Sequence, residues 1–129
     1  MTFRRYGLVA GSLLLLACSG EPLQMPDTAD AGLACTANVE PGIWVHLYDR
    51  ATGERLFLGR GFVRSGTYTD TLRPNGDGVY VTADEHRGTF TLHVEQVGYI
   101  PFERSGIVVT GGRCHVNPAV VYVTLVADR

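Results

Sequence analysis

Three flat, polar-edged side chains, Trp44, His46 and Tyr48, occupy alternate positions of one short stretch. Residues two apart share a face of an extended strand. A face built of such rings can stack on sugar rings or anchor a partner protein through its aromatic area. The competing expectation is that the second sheet or the N-terminal tether covers this face. Sandwich strands do bury aromatics, and Trp44 is the only tryptophan, so the sequence leans toward Trp44 in the core.

Other chemistry finds less to work with. Nucleophilic hydrolysis needs a serine or cysteine beside a histidine base that a carboxylate holds. Past the first 34 residues the only serines are Ser65 and Ser105, each next to a glycine, and both read as turn residues. The histidines are His46, His86, His93 and His115. No two of them stand at the H-x-H or HExxH spacing that would put them on one metal. His46 and His93 both fall on outward strand faces. Asn75 and Asp77 sit in one loop, but one amide and one carboxylate fall short of the six to eight oxygens that calcium takes. No catalytic residue, metal or cofactor is expected.

The elements that must position these side chains read as strands. Ile43, Val45 and Leu47 alternate with the rings, the period of a strand with two distinct faces. Asp49–Glu54 is a turn in which Gly53 can take positive φ. Leu56, Leu58 and Phe62-Val63 carry a second strand up to Ser65-Gly66, and Thr67–Leu72 is a third run rich in strand formers. Pro74-Asn75-Gly76-Asp77-Gly78 is the strongest turn signal, followed by Val79–Thr82. Phe90, Leu92 and Val94 alternate with Thr91, His93 and Glu95, a half-buried strand. Gly98–Phe102 bends the chain, and Ile107–Thr110 and Val120–Val126 complete the set. After residue 18 no segment has a helical period. The expectation is an all-β, antiparallel sandwich of about seven strands.

The cysteines locate the domain. Leu15-Leu16-Ala17-Cys18 closes an apolar run that begins at Leu8, behind Arg4 and Arg5. It resembles the lipobox of a bacterial lipoprotein signal peptide. The run is about half the roughly 20 residues a membrane-spanning helix needs, and it has the length of a signal's apolar region. The resemblance implies that residues 1–17 are removed and that lipid on Cys18 holds the protein to a membrane. Ser19 lacks the aspartate that retains such proteins at an inner membrane, which points to the outer membrane of the cell envelope. Residues 18–34, with Pro22, Pro26, Asp27 and Asp30, show no apolar periodicity and read as a tether. Residues 35–129 are one domain's length. In an oxidising envelope its two cysteines, Cys35 and Cys114, are most simply a disulfide. A metal site on two thiols is the rival, though the CxxC spacing is absent. A disulfide closing about 80 residues stabilises by about 4 kcal/mol in the chain-entropy model.

Charge narrows the partners. Without Arg4 and Arg5 the 11 basic residues become 9, against 13 acidic ones, a net of −4. The basic residues are all arginines and are scattered singly. A net negative surface without a basic patch argues against nucleic acid. The partners left are a membrane through Cys18 and an envelope protein or glycan.

Several short segments together resemble the carboxypeptidase regulatory-like domain in its small bacterial lipoprotein form. They are Pro41-Gly42-Ile43, the Asp49-x-x-Thr52-Gly53 turn, Gly88-Thr89-Phe90-Thr91-Leu92-x-Val94, Gly98-Tyr99 and Gly112-Arg113-Cys114-His115-Val116. The resemblance covers most of residues 35–126. It implies a transthyretin-like sandwich and a non-catalytic module for folding support, protein contact or glycan contact. Transthyretin-like folds also include a hydrolase of 5-hydroxyisourate, whose C-terminal tyrosine-arginine-glycine-serine motif has no counterpart in Leu125–Arg129.

Overall fold

The alternation of apolar and polar residues sorts the chain onto two sheets. The structure, a computed structural model, describes residues 35–57 and 60–129. The expected signal peptide, the lipidation site Cys18, the tether and Leu58 lie outside the described residues. Ala34–Arg129 is one compact unit.

One sheet holds β4 (Arg73–Pro74), β5 (Val79–Thr82), β1 (Ile43–Asp49) and β9 (Ala119–Leu125), in that spatial order. The other holds β3 (Tyr68–Thr71), β2 (Arg60–Ser65), β6 (Gly88–Glu95), β7 (Phe102–Gly111) and β8 (Val116–Asn117). Ile43, Val45 and Leu47 of β1 and Val121, Val123 and Leu125 of β9 turn inward and are buried. Opposite them Val63 of β2, Phe90, Leu92 and Val94 of β6 and Ile107 and Val109 of β7 close the same core.

The all-β sandwich agrees with the sequence reading, with two differences. The described residues form nine strands rather than about seven, because β4 and β8 are two-residue strands with too little periodicity to read. The sheets are also not wholly antiparallel: β1 and β9 run parallel in unbroken register from Ile43↔Ala119 to Asp49↔Leu125. Among the described residues β2 is Arg60–Ser65, and Leu56 packs on the core from outside any strand. β7 runs back to Phe102, through Ser105, which reads as a turn residue. There Gly106 has φ +76 and the pairing with β6 shifts register, so a bulge carries the strand onward.

Three devices hold the sheets in place. Cys35 is disulfide-bonded to Cys114, with Cα atoms 5.2 Å apart, across 79 residues of chain. The chain changes sheets at buried Leu72, between β3 and β4, and Asp70 fixes that crossing. Its carboxylate accepts hydrogen bonds from the Ala83 N–H at 2.9 Å, the Thr82 hydroxyl at 3.1 Å and the Arg73 guanidinium at 3.2 Å. Burial pushes the Asp70 carboxyl up, but these donors together hold it below the usual carboxylate range. At the far end, the Tyr99 hydroxyl donates to Asp49 Oδ2 at 2.5 Å and ties the β6–β7 turn to the end of β1. That bond, with the Thr52 and Ala51 N–H groups of the Asp49 turn, keeps the Asp49 carboxyl low.

Gly42 shows why a small residue opens β1. Its N–H donates to the Ala83 carbonyl at 3.1 Å and its carbonyl accepts from the Ala119 N–H at 2.8 Å. A Cβ there would stand 2.5 Å from the Ala83 oxygen. Only glycine lets β1 enter between its two neighbours.

Candidate functional site

The strand parity that buries Ile43, Val45 and Leu47 turns Trp44, His46 and Tyr48 to the other side of the sheet. All three are half-buried on the outer face, and none belongs to the core cluster. The lean toward Trp44 in the core is therefore corrected. With a period of 2, the β-branched and aliphatic residues take the core, and the rings between them cannot share it. The face is turned away from the second sheet.

The parallel register of β9 widens this face. Val120 aligns with Trp44, Tyr122 with His46 and Thr124 with Tyr48. Val120 and Tyr122 are 54% and 64% exposed. The His46 and Tyr122 rings stack, with centroids 4.9 Å apart and planes at 25°. On the other flank β5 places Val81 beside Trp44 and Val79 beside His46. Among the described residues, no side-chain hydrogen bond joins Trp44, His46, Tyr48, Tyr122 or Thr124 to the rest of the chain. No carboxylate stands on β1 between 44 and 48 or on β9 between 120 and 124. The result is an uncharged strip of rings and methyls whose polar edges have no side-chain hydrogen bond among the described residues. Tyr122 was not singled out from the sequence. Its signal was the alternation within β9, but its alignment with His46 depends on a long-range register that local periodicity cannot supply.

The remaining histidines lie in three other places. His93, on the outer face of the five-stranded sheet, stacks on Phe62 at 4.9 Å between centroids. Its Nε2 is 2.9 Å from Glu95 Oε1, and its Nδ1 is 3.6 Å from Glu103 Oε2. The bond from His93 holds the Glu95 carboxyl below the usual range, with Arg60 adding to it. Arg64 lies over the Phe62 ring at 5.7 Å. His86 stacks on Tyr68, with centroids 3.6 Å apart. His115, next to the disulfide, meets Glu85 Oε1 through Nδ1 at 2.6 Å and the Thr36 hydroxyl through Nε2 at 3.0 Å. The Glu85 carboxyl is held low, first by the Glu40 N–H and then by His115. Among the described residues no group of three His, Cys, Asp or Glu side chains could hold a metal ion. Ser105 accepts a hydrogen bond from the Thr91 hydroxyl at 3.1 Å. Asp77, at φ +50, offers its carbonyl to Arg55, so the Asn75–Asp77 loop is tied by its backbone.

A groove of about 410 Å³ at the β6–β7 turn is lined by Arg60, Glu95, Gln96, Val97, Tyr99 and Pro101. It shares no residue with the ring face. No family model and no curated protein matches the chain.

Proposed function

We propose that this chain is a lipid-anchored, non-catalytic module of the bacterial cell envelope that binds a partner protein through the outer face of β1 and β9. The anchor rests on Leu15-Leu16-Ala17-Cys18. The module's kinship rests on the resemblance to carboxypeptidase regulatory-like domains, and its envelope setting fits the Cys35–Cys114 disulfide. The observation that carries the binding reading is the co-facial set Trp44, His46, Tyr48 and Tyr122, turned out from the core and free of ion pairs. Apolar faces rimmed by polar groups are where soluble domains meet partners.

A second reading, glycan binding, has one specific support. The indole N–H, the imidazole and the two phenol hydroxyls belong to outward-facing rings, three half-buried and Tyr122 exposed, which suits sugars that stack through their C–H faces and bond through their hydroxyls.

The fluorine NMR signal of fluorotryptophan incorporated at Trp44 separates the two, because the chain has no other tryptophan and the added fractions carry no fluorine. The detergent-solubilised full chain is titrated with protein and polysaccharide fractions of the envelope, with Tyr122→Ala as the control. A shift with the protein fraction that Tyr122→Ala abolishes is the expected result. A shift with polysaccharide alone transfers the face to glycan. No shift with either fraction removes the binding role.

A further inference from the structure

Sheet edges expose rows of unpaired N–H and C=O groups, and natural proteins guard them with charge, proline, bulges or short length. Most edges of this sandwich are guarded. β3 has four residues and carries Asp70; β4 has two and ends in Pro74; β8 has two. Among the described residues nothing pairs with the outer edge of β7 beyond β8, but β7 carries Glu103, Arg104 and the Gly106 bulge. β9 is the exception. Its seven residues, AVVYVTL, contain no charge, proline or glycine, and its pairing with β1 has no bulge.

Which backbone groups it leaves open follows from its hydrogen bonds. The Ala119 N–H donates to the Gly42 carbonyl and the Leu125 carbonyl accepts from the Arg50 N–H, so odd-numbered residues face β1. Backbone groups alternate sides along a strand, so Val120, Tyr122 and Thr124 aim theirs away from β1. The Val126 carbonyl obeys the same parity, accepting from the Ile100 N–H on that side at 2.8 Å. The open edge therefore ends at the β6–β7 turn. Among the described residues nothing bonds the outward backbone groups of Val120, Tyr122 and Thr124.

We infer that this edge pairs with the β9 of a second copy of the chain, antiparallel and centred on Tyr122. A two-fold axis there sets Tyr122 opposite its twin and Val120 opposite Thr124, and all of these residues aim their backbone groups outward. The pairing makes about six interchain hydrogen bonds, two for each such opposed pair. It preserves side-chain parity, so Val121 and Val123 of both copies stay on the core side and the two ring faces join in one continuous sheet. Like charges placed opposite each other would oppose self-pairing, and β9 has no charges. The contact is narrow, so the dimer is weak and concentration-dependent. The inference rests on the edge alone and does not require the ring face to bind anything.

The test uses the full chain in mild detergent. Sedimentation velocity across a concentration series should show a reversible monomer–dimer equilibrium. A hydrogen-bonded antiparallel pair holds Cα atoms about 5.5 Å apart, within disulfide reach. Tyr122→Cys should therefore cross-link to itself, while Val120→Cys and Thr124→Cys should do so only when mixed with each other. Thr124→Pro removes an outward N–H without breaking a bond to β1 and should abolish both dimer and cross-linking, whereas Thr124→Ala should keep them. Should Thr124→Pro fail to fold, the cysteine register still decides. A monomer at every concentration overturns the inference. So does protection of the Val120, Tyr122 and Thr124 amides from exchange in that monomer, which would mean a segment of the same chain occupies the edge. A dimer that cross-links equally well through Val120→Cys alone overturns it too.

Discussion

On the outside of the five-stranded sheet His93 lies between Glu95 and Glu103 and against Phe62, with Arg60 and Arg64 alongside. On the outside of the four-stranded sheet Trp44, His46, Tyr48 and Tyr122 stand with no ion pair among them. Both faces carry a histidine stacked on a ring at 4.9 Å, so the difference is not aromatic content. It is whether the polar edges are satisfied within the chain. On the charged face they are, and little is left to recognise a ligand. On the ring face they are left to solvent or a partner. The same contrast separates the edges, where charge, proline, a bulge or short length guards the others and β9 has none of them.

The largest expected effect tests whether the ring face is outside the core. Phe90→Ala should destabilise by about 3–5 kcal/mol, as for a fully buried aromatic, while Trp44→Ala should fall well short of that in the same denaturant titration. Equal losses would place Trp44 in the core and erase the distinction between the faces.

Reduction comes next, because one bond closes a chain segment of 79 residues. Loss of the disulfide should lower stability by about 4 kcal/mol. The native protein should show no thiol at Cys35 or Cys114 to an alkylating reagent until reductant is added. Ready alkylation of both in the absence of reductant would contradict the pairing.

Acid should act more gently and unequally. Asp49, Asp70, Glu85 and Glu95 all have carboxyls held below their ordinary values in the folded chain. A depressed folded value means that their stabilisation is fully present above the ordinary carboxylate pKa of about 4. It is lost as pH falls through the folded values. The melting temperature should therefore hold from neutrality to about pH 5 and then fall. Asp49→Asn should flatten that fall, and the ring face, which has no carboxylate, should add nothing to it. Variants Trp44→Ala and Tyr122→Ala with an altered acid slope would show that the two faces are not electrically separate.

Where structure depends on neighbouring residues, the sequence is readable. Ile43-x-Val45-x-Leu47 and Phe90-x-Leu92-x-Val94 announced their strands and inward faces by period alone, and Gly76 and Gly78 marked a turn that the backbone makes at φ +83 and +70. Where structure depends on long-range pairing, it is not. Thr67–Leu72 reads as one run, but the chain leaves one sheet for the other at Leu72, and the partners of Asp70 that fix the crossing, Thr82 and Ala83, lie 12 and 13 residues beyond it. Trp44 was drawn toward the core by the burial habit of its residue type, yet its neighbours had already claimed that side of the strand. The site was half legible: three of its rings come from one strand, and the fourth, Tyr122, joins them through a parallel pairing with no local signature.

Iodide quenching of Trp44 in the folded protein tests the central claim most directly. An outward ring face on β1 and β9 predicts that iodide reaches the indole, and that Tyr122→Ala changes the quenching without shifting the melting temperature by more than a small amount. Emission that iodide cannot quench until the protein is unfolded would put Trp44 in the core and contradict the account.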